Sequence, residues 1–221
     1  DGVAPCAKMN QQRKRRYKSI FDKQVIGNIK EKLNIEDTKF NWDTNAISPG
    51  TKFMKKLSKS IEFNLRNNFK TMKIYFSDSE IHGEGEHKIL DYIRNNTIIG
   101  NTIIYGLDAD LMMLSMVSNK EQIYLLREGV QFGKVIENSF LYLDIDYLKF
   151  FLYADLKEQI LMYDSTYIFK ENEKTLLIND YIFISFLIGN DFLPHLPSYN
   201  LRSDGLFLLL EKYISIYVNF G

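Results

Sequence analysis

Between residues 72 and 126, apolar runs of strand length alternate with runs of helical period, and no other feature limits the fold so tightly. MKIYFS (72–77), NTIIYG (101–106) and QIYLL (122–126) have the length and residue types of buried strands, whereas 84–94 and 109–117 carry a helical rhythm. Such alternation predicts right-handed βαβ units, hence an α/β fold with a mostly parallel central sheet covered by helices on both faces. Upstream, Phe21, Val25, Ile29 and Leu33 recur every fourth position and predict a helix over 8–33, ended by NWDTN. Ser48 and Pro49 suit the cap and first residue of a second helix, with Phe53, Leu57, Ile61 and Leu65 down one side. Further helices are predicted over 144–160 and 177–188. The polar run ENEKT (171–175) between them is expected to be a loop or an insertion, within about 163–176. With no repeats and no linker, residues 1–221 are expected to form one domain.

Composition narrows the function. The 221 residues are 45% hydrophobic, enough for a packed core, and Lys plus Arg balance Asp plus Glu at 28 each. Overall charge therefore points to no class of partner, although KMNQQRKRRYK (8–18) holds six basic side chains and no acid. The single cysteine, Cys6, excludes an intrachain disulfide and a multi-cysteine zinc cage. No apolar run approaches the roughly 18 residues of a membrane span, so the expectation is an intracellular protein, cytoplasmic or nuclear, with no membrane partner.

The acids carry the chemistry. HGEGEHK (82–88) places Glu84 and Glu86 one residue apart after the first expected strand; Asp108 and Asp110 follow the second in YGLDADLMML; Asp191 follows an apolar helix in FLIGNDFLPH. In open parallel sheets ligands bind beyond the carboxyl ends of strands. Two carboxylates about 4 Å apart repel by about 4 kcal/mol at an effective dielectric of 20, so a proton or a cation must relieve them. One reading makes these acids helix caps and first-turn residues that complement the helix dipole. That role needs one acceptor per helix, and acid-x-acid occurs twice. A hydrolytic dyad with one raised pKa needs two acids, not five. Hard divalent cations answer the repulsion directly: paired Mg²⁺ ions take carboxylate and water oxygens and can serve phosphodiester hydrolysis. His82, His87 and His195 have neither cysteine partners nor His-x-x-x-His spacing and are read as ordinary surface or core histidines.

DGVAPCAKMNQQRKRR, AISPGTKFM, IHGEGEHKILDYIR, YGLDADLMMLSM, LREGVQFGK and FLIGNDFLPHLPS occur in the order seen in the Xrn family of 5′-to-3′ exoribonucleases, relatives of the flap endonucleases. The chain resembles that family from Asp1 to about Ser198. The resemblance implies a PIN/FEN-like fold and assigns Asp1, Glu84, Glu86, Asp108, Asp110 and Asp191 to the binding of two Mg²⁺ or Mn²⁺ ions. It also implies that Lys8, Gln12, Arg15 and Arg16 form the pocket for the 5′-monophosphate of single-stranded RNA. Their spacing is consistent with this, since i, i+4, i+7 and i+8 share one helix face and Lys and Arg give phosphate oxygens charge-assisted hydrogen bonds. Arg13, Lys14 and Lys18 are left outward, for nonspecific contact with RNA backbone.

The activity so implied is two-metal hydrolysis of 5′-monophosphorylated RNA to nucleoside 5′-monophosphates, with caps and triphosphates excluded, as in mRNA decay. A structure-specific flap endonuclease of the same superfamily and an RNA-binding scaffold without catalysis are the alternatives. Cys6 stands where the family usually has arginine, which removes one basic group near the pocket. By the resemblance, a preceding segment would carry the first sheet strand, another metal-binding aspartate and a histidine; the isolated chain is therefore expected to have weak activity or none.

Overall fold

The computed structural model describes residues 1–35, 42–106, 108–131 and 134–220. Asn41 of the expected helix break, Leu107 of YGLDADLMML, and Phe132 and Gly133 of LREGVQFGK lie outside them. Two compact units divide the chain, Asp1–Lys88 and Ile89–Gly221.

In the first unit, α1 spans Cys6–Lys32 and α2 spans Lys52–Asn68, with a 3₁₀ turn at Thr44–Ala46 between them; α3 (Gly85–Asn95) begins at its end. Lys30 and Lys32 in the last turn of α1 complement the negative end of the helix dipole. The second helix starts later than Ser48-Pro49 predicts. Gly50 has φ +83°, a left-handed conformation that no α-helix can include. The cap passes to Thr51, whose Oγ1 accepts from the Met54 amide at 3.2 Å and lies 2.6 Å from the Ala46 carbonyl oxygen.

The strand expected over 72–77 forms no ladder among the described residues. The segment takes no regular secondary structure, and Met72, Ile74, Tyr75 and Phe76 are exposed. A strand exists through its neighbour's backbone hydrogen bonds, and an apolar run cannot supply that neighbour by itself.

The second unit holds the sheet. Strand β1 (Thr102–Tyr105) is followed by α4 (Ala109–Met116), β2 (Ile123–Gln131), β3 (Lys134–Asp144), α5 (Ile145–Tyr163), α6 (Glu173–Leu187) and α7 (Gly205–Phe220). The order is β1-β2-β3, with β1 parallel to β2 and β2 antiparallel to β3. The α/β class therefore stands, but this sheet is small and mixed rather than mostly parallel. The hairpin partner β3 escapes pattern reading because Val135, Ile136, Phe140, Leu141 and Tyr142 are all exposed, which removes the two-residue alternation that a half-buried strand shows. ENEKT also differs from expectation: 171–172 form a turn, and Glu173 already begins α6.

One apolar cluster joins Ile104 of β1, Ile123 and Leu125 of β2, Leu111 of α4, Ile145 of α5 and Ile182 of α6. A second joins α5, α6 and α7 through Leu156, Ile160, Leu177, Leu210 and Ile214. Beside it, the Tyr213 hydroxyl donates to Asp180 at 2.7 Å, and the Tyr167 hydroxyl to the buried Glu173 at 2.8 Å. Burial, then the bond to Asp180, pushes the Tyr213 phenol up; burial, then Tyr167 and Glu173, does the same for Tyr217. A phenol raised in the folded state contributes stability that is complete below its unfolded value of about 10 and lost as pH climbs toward the folded value. Urea midpoints are accordingly expected to hold from pH 8 to 9.5 and fall above about pH 10, with a shallower fall in Tyr213→Phe; a midpoint indifferent to pH up to 11 would contradict this.

Candidate nucleic-acid and metal site

The first residues of the chain are built onto the HGEGEHK loop. The Gly2 amide donates to the Gly83 carbonyl at 2.8 Å, and the Gly83 amide returns the bond to Val3 at 3.0 Å. Gly83 has φ +97°, which glycine tolerates. Lys88 closes the same loop from below, its Nζ donating to the carbonyls of Asp78 (3.0 Å) and Ile81 (2.6 Å). As a result, the Asp1 carboxylate accepts the Gly85 amide at 2.6 Å, next to the peptide that separates Glu84 from Glu86. Of the three acids, Glu84 is the most buried, with 6% exposed; Glu86 lies in the first turn of α3.

Lys8 does not line the cavity that its expected partners share. Its Nζ lies 2.8 Å from Glu84 Oε2, a nearly buried ion pair. The other three residues expected to meet the phosphate do share a cavity: Gln12, Arg15 and Arg16 on α1 line a hollow of about 410 Å³ together with Asp1, Asn45 and Ser48. Beside the two arginines the lining offers the hydroxyls of Thr44 and Ser48 and the side-chain amide of Asn45, a combination that suits phosphate oxygens.

Gly2 holds this arrangement in place. A Cβ on it would fall 1.8 Å from the Ile81 carbonyl oxygen, and backbone cannot swing aside as a side chain can. Gly2→Ala is expected to destabilise the first unit by about 1–3 kcal/mol or more, the usual cost of overpacking, and to pull Asp1 off Gly85. A denaturant midpoint equal to that of the wild type would refute this.

In the second unit, Asp108 occupies the N-cap position of α4 with extended φ and ψ, yet its side chain makes no capping hydrogen bond. Asp144 shows what capping looks like in the same unit, its carboxylate accepting the amides of Asp146 (2.9 Å) and Tyr147 (3.1 Å). Capping therefore does not account for Asp108. Asp110 sits in the first turn of α4. Asp191 lies at the tip of the turn after α6, where Asn190 Oδ1 accepts the amides of Phe192 (2.9 Å) and Leu193 (2.7 Å). Gly189, at φ +94°, lets that turn form against His195, whose amide would lie 2.7 Å from an added Cβ.

Asp108 also borders a cavity of about 230 Å³ with Arg127, Met112, Leu125, Leu141 and Tyr142. Arg127 was not expected at the site. Its signal was present in LREGVQFGK, where a charge interrupts an apolar strand on the side that Leu125 shows to be buried.

Within each unit, among the described residues, no three His, Cys, Asp or Glu side chains converge on a common ion-sized point. The donors are nonetheless all carboxylates, the ligand type that Mg²⁺ and Mn²⁺ prefer, and Asp1 and Glu84 both adjoin Gly85. Among the described residues no helix is long and apolar enough to cross a membrane.

A family model described as the XRN 5'-3' exonuclease N-terminus matches residues 1–129, and one described as the Xrn1 helical domain matches residues 171–221. The human protein named 5'-3' exoribonuclease 1 is 39% identical over 247 residues, covering 100% of this chain and 14% of its own length. The protein of the same name from Schizosaccharomyces pombe is 35% identical, covering 100% of this chain and 18% of its own length. The Saccharomyces cerevisiae protein named 5'-3' exoribonuclease 2 is 35% identical, with 96% of this chain and 25% of its own length covered. The chain thus spans a quarter or less of these relatives.

Proposed function

Because the chain belongs to the XRN 5'-3' exonuclease N-terminus family, we propose that it is part of an enzyme that hydrolyses 5′-monophosphorylated single-stranded RNA from its 5′ end, releasing nucleoside 5′-monophosphates. The observation that carries this reading is the cavity in the first unit. Gln12, Arg15 and Arg16 present one amide and two guanidinium groups on the same helix face, and Asp1, anchored to Gly85, borders the same hollow. A terminal phosphate carries more charge than an internal one and presents its oxygens to two arginine forks. Seated there, it would act as a ruler that selects the first linkage.

The acids Asp1, Glu84, Glu86, Asp108, Asp110 and Asp191 would hold two Mg²⁺ or Mn²⁺ ions. When bound, such ions lower the pKa of water and neutralise charge that grows on a phosphate. The protein's own part is to position the carboxylates. The Gly85 amide fixes Asp1, and Lys8 neutralises Glu84 until a stronger cation competes for it.

The ruler is tested by comparing RNAs that carry a 5′-monophosphate, 5′-hydroxyl or 5′-triphosphate, using the full-length protein. The monophosphate should be degraded fastest by a wide margin, and equal rates on all three would end this part of the proposal. One observation favours a second reading, an RNA-binding scaffold without catalysis: Lys8 already satisfies Glu84, the most buried of the expected ligands. That reading requires retained binding of 5′-monophosphate RNA with neither Mn²⁺ binding nor product.

A further inference from the structure

Arg127 has no part in the roles proposed above, and its surroundings specify a ligand. It lies on β2 in register with Leu141 of β3, two positions beyond the buried Leu125 and so on the same face of the strand. Its Nε is buried and, among the described residues, has no hydrogen-bond partner. Among the described residues it forms no ion pair within 4.0 Å. Its chain neighbour Glu128 is committed to the Tyr105 hydroxyl. A guanidinium stays charged at every physiological pH and has no neutral form to retreat to. Burying one of its donors without an acceptor is costly, and that cost is met when an acceptor arrives from outside.

The cavity beside Arg127 shows what kind of acceptor fits. Its walls are apolar side chains, Met112, Leu125 and Leu141 among them, apart from Tyr142, Arg127 itself and Asp108 at the rim. In such surroundings a planar fork of N–H donors favours a planar or tetrahedral oxyanion bound through two oxygens. We propose that Arg127 holds the nonbridging oxygens of one backbone phosphate of the RNA, next to Asp108. This rests on the exoribonuclease reading and adds to it a contact that positions the substrate.

The test uses full-length protein and 5′-monophosphate RNAs in which one linkage at a time is an uncharged methylphosphonate. Binding is measured in EDTA, so that no metal enters the readout. Wild-type protein should lose about 10- to 100-fold in affinity at one linkage near the 5′ end, the range for a charge-assisted bond. Arg127→Ala should bind the unmodified RNA that much more weakly and show no further loss at that linkage; Arg127→Lys should recover part of the difference. The proposal is overturned if no linkage is sensitive in the wild type, or if Arg127→Ala and the methylphosphonate weaken binding independently. Failure of the wider reading looks different: the wild type would then leave unmodified RNA intact in Mg²⁺ or Mn²⁺, whereas an enzyme that degrades RNA but ignores Arg127 sinks this inference alone.

Discussion

Asp108→Ala in the full-length protein is expected to lower kcat on 5′-monophosphate RNA on the order of 10³-fold, equivalent to about 4 kcal/mol of transition-state stabilisation, while the thermal midpoint stays within the range of ordinary surface substitutions. The two halves of this result follow from different observations. The carboxylate is exposed and makes no cap bond, so removing it costs α4 little. Its remaining role in the proposal is to hold a catalytic cation, and losing a ligand from a paired-ion site removes charge stabilisation that exists mainly in the transition state. Asp144→Ala is the control with the opposite signature, because that carboxylate does cap its helix and its loss should cost about 0.5–2 kcal/mol of stability without a comparable effect on kcat. If Asp108→Ala melts early and turns over normally, Asp108 is structural.

The second large effect concerns discrimination. In Arg15→Ala/Arg16→Ala, kcat/KM for 5′-monophosphate RNA should fall at least about 100-fold, since each charge-assisted hydrogen bond contributes about 1.5–3 kcal/mol. Activity on 5′-hydroxyl RNA should change far less, and the preference between the two ends should largely vanish. A uniform loss on both substrates would instead mean that the arginines meet internal phosphates. Salt separates the two cases further. Loss of general backbone contacts flattens the dependence of affinity on ionic strength for any RNA, whereas loss of an end-specific pocket shows on the monophosphate alone.

Legibility in the sequence followed the kind of signal each residue carries. Helical period revealed α1, α2, α5 and α6 because apolar side chains three to four apart mark a face whether or not a neighbour covers it. The positions Gln12, Arg15 and Arg16 share a cavity for the same reason, since their spacing fixes a common face of α1. Tertiary facts were not legible. The run 72–77 has strand composition but no described ladder partner; β3 has a partner but no alternation, because the consecutive Phe140, Leu141 and Tyr142 are all exposed. Whether Lys8 would turn toward the cavity or toward Glu84 depended on a contact spanning 76 residues, which no local spacing encodes. Arg127 was visible as a charge within a strand, but that its Nε lacks a hydrogen-bond partner among the described residues could appear only once the atoms around it were placed.

Capping residues followed the same division. Ser48-Pro49 carries the residue preferences of a helix start, yet the left-handed Gly50 two residues later moves the start to Thr51. Backbone conformation outranked side-chain preference there. At Asp108 the reverse ambiguity held, since position alone suits either a cap or a ligand, and only the missing cap bond separates the two.

The most direct measurement follows 5′-monophosphate RNA labelled at either end as the full-length protein acts on it in Mg²⁺, in Mn²⁺ and in EDTA. The account predicts nucleoside 5′-monophosphates released from the 5′ end, shortening that proceeds toward the 3′ end, and no product in EDTA. Cleavage that persists in EDTA, that starts at the 3′ end, or that falls within the strand would contradict it.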